Sequence, residues 1–204
     1  MKKTIASVAS AGFILRKHFP HRCKLSILDK SRGHITVIPA NWGWASYAAP
    51  GAFIAYDLRD CDGTCFIEAI ELCALPVYKN AAAMGFLHHV LELCFVSLPI
   101  QAGNGEVFAL VSAIISELDM LALDNVQQKI ALAKLLFACG QYPHSIDQIG
   151  MTCVLHHSYE QLKKTVLNVD QVRELELFIY HCIGQHPAKK WLKTVNFLVW
   201  DEKR

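Results

Sequence analysis

The change of residue periodicity near Pro76 is the feature that most limits how this chain folds. Before it, apolar and polar residues alternate over short stretches, as where Leu25 and Ile27 flank Ser26. A period of two is typical of half-buried strands. After Pro76 the period becomes helical. The sequence therefore predicts the α+β class, with a small β domain at residues 1–76 and an all-α domain at residues 77–204.

Strand character recurs five times in the first part, at residues 8–17, 22–29, 34–39, 52–58 and 64–72. The last two stretches flank Asp62 and Gly63. Asp-Gly is a strong signal for a two-residue hairpin, because glycine accepts a positive φ angle. Five short strands separated by turns predict a small five-stranded barrel.

Helical periodicity predicts helices at residues 79–98, 104–121, 125–140, 158–166, 169–184 and 188–199. Ser158 with Gln161, and Asn168 with Gln171, match the pattern of a capping box. Gly184 is expected to end one helix, and Pro187, directly before the last stretch, is expected to open the next one. Together these segments predict a helical bundle.

The most apolar stretch, residues 81–100, contains His88, His89, Glu92 and Pro99. Polar groups buried in lipid are costly, so we expect a buried bundle helix here and no membrane contact. Cys73, Cys94, Cys139 and Cys182 are expected to be free thiols among apolar residues. A chain with such a core does not need disulfides, which predicts a reducing, cytoplasmic location.

Enzyme motifs for nucleotide binding, nucleophilic hydrolysis and zinc-dependent hydrolysis do not occur in the sequence. Few acidic residues lie near histidines, so no general acid–base pair is nominated. We predict a protein that is not an enzyme and needs no cofactor. A cysteine–histidine hydrolase is the minor alternative.

Positive charge is concentrated at the start of the chain, although the formal net charge is only +2. Residues 1–34 hold eight lysines and arginines and one acidic residue, whereas residues 35–128 hold ten acidic and two basic residues. A local excess of this kind predicts contact with an anion such as a phosphate or an acidic peptide.

Three segments together resemble the RecO family of recombination mediators. Residues 12–16 followed by 24–35 resemble its first strands, residues 129–143 resemble its helix ending L-L-x-x-x-G-x-x-P, and residues 173–194 resemble its closing helices with a basic step between them. The resemblance implies an OB-type barrel followed by a helical bundle. It also implies a role in the repair of DNA damage and in DNA recombination. Its implied partners are single-stranded DNA, the tail of single-strand-binding protein and a RecR-like protein.

The chain departs from the family pattern in two places. The loop at residues 41–51 has no lysine or arginine, where the family commonly carries a long basic loop. After Pro143 the sequence offers Cys153, His156 and His157 as candidate metal ligands but no C-x-x-C pair, where many members hold zinc with four cysteines. With Cys139 they match zinc by ligand type, but without a second close pair we predict no metal.

A basic cluster is the candidate nucleic-acid site. Its members are Arg16, Lys17, Arg22, Lys24, Lys30 and Arg32. Such residues on a barrel face neutralise phosphates, and Phe19, Trp42, Trp44 and Tyr47 are candidates for stacking on bases. The alternative is a merely solvated barrel surface.

A second basic group is the candidate partner site, formed by Lys189, Lys190, Trp191 and Lys193. Ammonium groups beside an apolar surface suit an acidic, hydrophobic peptide tail. The alternative is an ordinary amphipathic helix. The leading hypothesis is thus a mediator that binds DNA and proteins. The rival hypothesis is a protein-interaction adaptor with the same architecture that has lost nucleic-acid binding.

Overall fold

The computed structural model describes residues 7–18, 24–41, 43, 48–117, 125–141, 158, 161, 164 and 166–194. These residues divide into two compact units. The first combines the described residues up to Val77 with Leu98–Ala109, and the second combines Tyr78–Ser97 with the described residues from Leu110 onward. The strands come first along the chain and the helices follow, which confirms the α+β class.

The first unit contains a closed five-stranded barrel. Its strands are β1 (Val8–His18), β2 (Lys24–Asp29), β3 (Gly33–Pro39), β4 (Phe53–Cys61) and β5 (Thr64–Ala74). They pair in the order β1-β2-β3-β5-β4, and all neighbours are antiparallel except β3 and β5. The expected OB-type barrel is therefore confirmed.

β1 pairs with two strands. Residues 8–13 pair with β4, and residues 12–18 pair with β2. The register shifts between Ile14 and Arg16, which marks a β-bulge. A bulge bends the strand and increases its twist, so one strand contributes to both sides of the barrel.

Apolar side chains at alternating positions fill the barrel. Ile14, Leu25, Ile27, Ile35, Val37, Ile54 and Ile67 are fully buried in one cluster. Each contributes about 1.5–3 kcal/mol through removal from water. Because Leu25 and Ile27 point inward, the side chain of Ser26 between them lies on the outer face of β2.

The β4–β5 hairpin turns at Asp62 and Gly63, as the sequence predicts. Their φ angles are 51° and 78°. Two consecutive positive φ angles are typical of a type I′ turn, whose twist matches that of the flanking strands. The Oδ1 atom of Asp60 accepts a hydrogen bond of 3.1 Å from the N–H of Gly63.

Leu98–Ala109 groups with the barrel although it follows a helix in the sequence and its last five residues begin the next helix. Ile100 forms an isolated parallel bridge with His34, and the N–H of Gln101 donates to the carbonyl of His34 at 2.7 Å. The ring of Phe108 lies 5.3 Å from that of Phe13. The boundary between residues 76 and 77 stays a prediction, because compactness alone does not define independently folding domains.

The described helices are α1 (Ala81–Ser97), α2 (Gly105–Glu117), α3 (Asn125–Ala138) and α4 (Val169–Gln185). Asn80 and Asn104 accept hydrogen bonds from the first turns of α1 and α2. Asn168 and Gln171 form the predicted capping box of α4. These side chains satisfy N–H groups that have no partner within the helix.

The structure differs from the prediction at Gly184 and after Pro187. α4 continues past Gly184 to Gln185 and ends where His186 adopts an extended backbone. The chain then forms a 3₁₀ turn at Lys189–Trp191 where the sequence predicts the start of an α-helix. The predicted helix at residues 158–166 lies mostly outside the described residues, although Ser158 and Gln161 form both hydrogen bonds of its capping box.

Candidate functional site

Three of the predicted phosphate ligands lie at the hairpin end of β1 and β2. Arg16 and Lys17 are near the end of β1, and Lys24 begins β2. Arg16 is exposed, and the other two are half-buried. Lys24 pairs directly with His18 in the β1–β2 ladder. We call Arg16, Lys17, His18 and Lys24 the hairpin group.

The remaining basic residues do not join this group. Lys30 and Arg32 lie in the β2–β3 turn, at the opposite end of β2. A strand rises about 3.4 Å per residue, which separates the two ends of β2 by roughly 17 Å. Arg22 lies outside the described residues. The predicted single basic face is thus two separate groups in the part of the chain that the structure describes.

The backbone of the β2–β3 turn already holds an anion, the carboxylate of Asp29. Its Oδ1 atom accepts hydrogen bonds from the N–H of Ser31 at 2.8 Å, from the Ser31 hydroxyl at 2.8 Å and from the N–H of Arg32 at 2.7 Å. These N–H groups are therefore occupied and do not form a phosphate nest. Lys30 and Arg32 offer only their side chains to a ligand.

The second oxygen of Asp29 is held equally firmly. Oδ2 accepts hydrogen bonds of 2.5 Å from the hydroxyls of Ser10 and Tyr56. Burial alone would raise the pKa of Asp29, but the hydrogen bonds from Ser10, Tyr56 and the turn lower it below its usual value. Burial and the Asp29 contact raise the pKa of Tyr56. Asp29 is a structural hub that sequence reasoning missed.

The outer face of β1 and β2 near the hairpin group is polar. Arg16 pairs with Ser26, and His18 pairs with Lys24, so these four side chains share one face of the ladder. The Nε2 atom of His18 lies 2.9 Å from the hydroxyl of Ser26. Burial lowers the pKa of His18, and the charges of Arg16 and Lys24 lower it further.

The β4–β5 side of the barrel carries the opposite charge. Asp57 is paired in register with Glu68, and the Asp62 turn extends the acidic region. An ion pair of 2.8 Å joins Arg59 to Glu68, and both side chains are about 40% exposed. The strong excess of acid after residue 34 therefore leaves the positive charge of the barrel localised on β1, β2 and the β2–β3 turn.

The candidate partner site lies around the 3₁₀ turn. Lys189, Lys190 and Lys193 are exposed, and Trp191 is 82% exposed. The next residue, Leu192, is buried at 5% exposure. The turn therefore presents a tryptophan and three ammonium groups outward while it is anchored by an apolar residue.

Glu92 of α1 fixes the chain just after this turn. Its carboxylate accepts hydrogen bonds from the N–H of Lys193 at 3.0 Å, the N–H of Thr194 at 2.9 Å and the Thr194 hydroxyl at 2.7 Å. Thr194 is fully buried. A carboxylate that accepts N–H groups at the start of a segment orients that segment. In the sequence, Glu92 is recognisable only as a polar residue that interrupts an apolar stretch.

The stacking candidates Phe19, Trp42, Trp44 and Tyr47 lie outside the described residues, as do the possible metal ligands Cys153, His156 and His157. Elsewhere, in the described ranges, no three histidine, cysteine or acidic residues come together as a metal site.

Six described cysteines are free thiols: Cys61, Cys65, Cys73, Cys94, Cys139 and Cys182. Cys94 and Cys182 are buried as expected, and burial raises the pKa of the Cys182 and Cys139 thiols to about 12. The expectation for Cys73 is wrong, because it lies at the exposed end of β5.

No protein-family model matches the sequence, and no curated protein matches it. Within the described residues, none of the helices has the length and apolar character needed to cross a membrane.

Proposed function

We propose that the protein is a RecO-like recombination mediator that binds single-stranded DNA through its barrel and protein partners through its helical unit. The proposal involves binding without catalysis, in the cytoplasm, and in the repair of damaged DNA. It rests on the sequence resemblance together with the position of the hairpin group. No step of it requires a metal or a cofactor.

The outer face of β1 and β2 carries the proposal. OB-type barrels bind oligonucleotides on the face of their second and third strands and on the adjoining loops. In this barrel Lys24 begins the second strand, and Arg16 lies near the end of the first strand, on the same outer face as His18 and Ser26. Cations on such a face neutralise phosphates, and their binding is largely independent of base sequence.

The turn residues Lys30 and Arg32 have a secondary role in this proposal. They are separated from the hairpin group by the length of β2, so only a longer strand reaches both groups. A short oligonucleotide of about 6 nucleotides is expected to depend on Arg16 and Lys24 alone. One of about 16 nucleotides is expected to depend on both groups.

A binding assay with fluorescent single-stranded DNA at several salt concentrations tests the proposal. The logarithm of affinity should fall with the logarithm of salt, and Arg16→Gln combined with Lys24→Gln should flatten the slope by about 1.4, or roughly 0.7 for each lost phosphate contact. Lys164→Gln, which removes an exposed lysine of the helical unit, is the matched control and should leave the slope unchanged.

The protein partners we propose are the acidic, hydrophobic tail of single-strand-binding protein and a RecR-like protein. The exposed Trp191 beside Lys189, Lys190 and Lys193 supports the first. Tryptophan supplies a large apolar contact, while the ammonium groups attract carboxylates. The RecR-like partner rests on the resemblance alone.

Two observations favour the adaptor hypothesis: Glu92 anchors the segment that carries Trp191, and the β4–β5 side of the barrel is acidic. These features serve protein contacts and do not require DNA. If the unmodified protein shows no binding to single-stranded DNA at about 50 mM salt, where electrostatic binding is strong, the adaptor hypothesis replaces the mediator.

A further inference from the structure

Ser26 lies on the outer face of β2 and yet has no exposed surface. A small side chain outside a barrel is covered only when neighbouring side chains lie over it. His18 is one of these, because its Nε2 atom is 2.9 Å from the Ser26 hydroxyl. This contact holds the imidazole ring against the outer face of the sheet, while the ring itself is half-buried and so partly open to solvent.

His18 has two cationic neighbours on the same face of the β1–β2 ladder. Lys24 is its direct partner across the ladder, and Arg16 lies two residues before it on the same face of β1. Such neighbours are about 5–7 Å apart. Burial lowers the pKa of His18, and the charges of Arg16, Lys24 and His34 lower it further. The ring is therefore expected to be neutral at neutral pH.

We infer that His18, Arg16 and Lys24 form a single-nucleotide subsite, in which the imidazole ring stacks on one base and the two cations bind the phosphates on either side of it. Aromatic side chains, histidine included, provide platforms for unstacked bases, and stacking tolerates any base because every base has a π-face. The inference rests on the proposed function, since it names a contact within the same interface.

Ser26 is a positioning residue in this subsite. It does not reach the nucleotide, because it is fully buried. Its hydroxyl fixes the plane of the His18 ring through their hydrogen bond. Loss of that bond leaves the ring free to rotate, so part of the stacking is lost.

Two oligonucleotides of about 16 nucleotides separate stacking from charge: one of thymidines and one abasic strand with the same phosphates. On the thymidine strand, His18→Ala should weaken binding about 5- to 100-fold without changing the salt slope. His18→Phe should retain most of the affinity. On the abasic strand, His18→Ala should bind with the same affinity as the unmodified protein. Arg16→Gln should weaken binding to both strands.

Thermal unfolding verifies that each variant is folded, and His181→Ala, a half-buried histidine of α4, is the matched control with unchanged binding. If His18→Ala perturbs folding, His18→Phe and Ser26→Ala carry the test. Ser26→Ala should weaken thymidine binding in the presence of His18 but have no further effect together with His18→Ala.

Three results would overturn the inference. The first is that His18→Ala binds the thymidine strand with the affinity of the unmodified protein while Arg16→Gln binds it more weakly. This result would leave the proposed function intact. Another is an equal loss for His18→Ala and His18→Phe on both strands, which would assign His18 a role other than stacking. The last is an unmodified protein that binds neither strand, in which case the proposed function fails as well.

Discussion

The hydroxyl of Tyr56 donates a hydrogen bond of 2.5 Å to Oδ2 of Asp29 and so joins β4 to β2, two strands that are not neighbours in the barrel. Ser10, on the strand between them, donates to the same oxygen. With the contacts from Ser31 and Arg32, the carboxylate joins three strands and one turn. Charge-assisted hydrogen bonds in a buried network stabilise a fold more than neutral ones do.

Replacement of Asp29 by Asn should destabilise the barrel. The carboxylate has two acceptor oxygens, whereas the amide has one acceptor oxygen and one NH2 donor. The hydroxyls of Ser10 and Tyr56 then face the NH2 group, which cannot accept their hydrogen bonds. We expect a loss of about 2–4 kcal/mol in the free energy of unfolding, measured by urea denaturation. Asp62→Asn is the matched control, because its exposed turn position has a positive φ angle that asparagine tolerates. A variant at Asp29 as stable as this control would contradict the assignment.

The contribution of Asp29 should disappear in acid. Its pKa is lower in the folded protein than the usual value of about 3.9 in an unfolded chain. The stabilisation is then complete above about pH 4 and is lost as the pH falls through the lowered pKa of the folded state. The difference in unfolding free energy between the unmodified protein and Asp29→Asn should therefore narrow below about pH 4. A difference that stays constant from neutral pH to pH 2.5 (about 1.4 units below that value) would argue against a charged Asp29.

Gly33 and Gly63 have similar backbone angles but different surroundings. Both have positive φ angles, 72° and 78°. A Cβ atom at Gly33 would lie 2.0 Å from the carbonyl oxygen of Ala102, whereas at Gly63 it would meet open space. Gly63→Ala should cost about 1–2 kcal/mol through its backbone angle alone. Gly33→Ala should cost at least about 3 kcal/mol and displace the Ala102 segment from β3. Equal losses of unfolding free energy for the two variants in chemical denaturation would show that the Ala102 segment does not pack against Gly33.

The strands were predictable from the sequence because their signals are local. Alternation in β2 and the Asp62-Gly63 turn depend on neighbouring residues. The structure confirms the strand and the turn, although β2 is buried on both faces and not half-buried as its alternation indicates. The Asp29 hub was not predictable, because its donors Ser10 and Tyr56 lie 19 and 27 residues away in the sequence. Nothing near Asp29 in the sequence indicates those partners.

The candidate sites show the same limit. The sequence located the basic residues, but treated them as one cluster, although an intervening strand places Lys24 and Lys30 at opposite ends. The contact between His18 and Ser26 depends on the register of two strands, which the bulge in β1 shifts by one residue. For the partner site, the sequence nominates Trp191 and its lysines, but the Glu92 anchor lies about a hundred residues away in the sequence.

Ala69 has a φ angle of 45°, which is unfavourable for a residue with a Cβ atom. Ala69 lies in β5, opposite the point where the register with β4 shifts between Ala55 and Asp57. A residue with a left-handed backbone conformation at such a bulge is usually glycine. Ala69→Gly should therefore raise the free energy of unfolding by about 0.5–1 kcal/mol. Ala9→Gly, at an exposed position of β1 with an ordinary strand backbone, is the control and should lower it by about 0.5–1 kcal/mol. A lower free energy of unfolding in both variants would show that the backbone at Ala69 is not strained.

Glu92 should control the segment that carries the candidate partner site. Glu92→Ala removes the acceptor for the N–H groups of Lys193 and Thr194, and Thr194 is buried, so water does not easily replace it. We expect a loss of about 1.5–3 kcal/mol in unfolding free energy and faster tryptic cleavage after Lys193. Weaker binding of an acidic, apolar peptide should accompany these changes, because a mobile Trp191 must be ordered when the peptide binds. Glu174→Ala, a half-buried glutamate of α4, is the control. Cleavage after Lys193 at the rate of the unmodified protein would show that Glu92 does not anchor the segment.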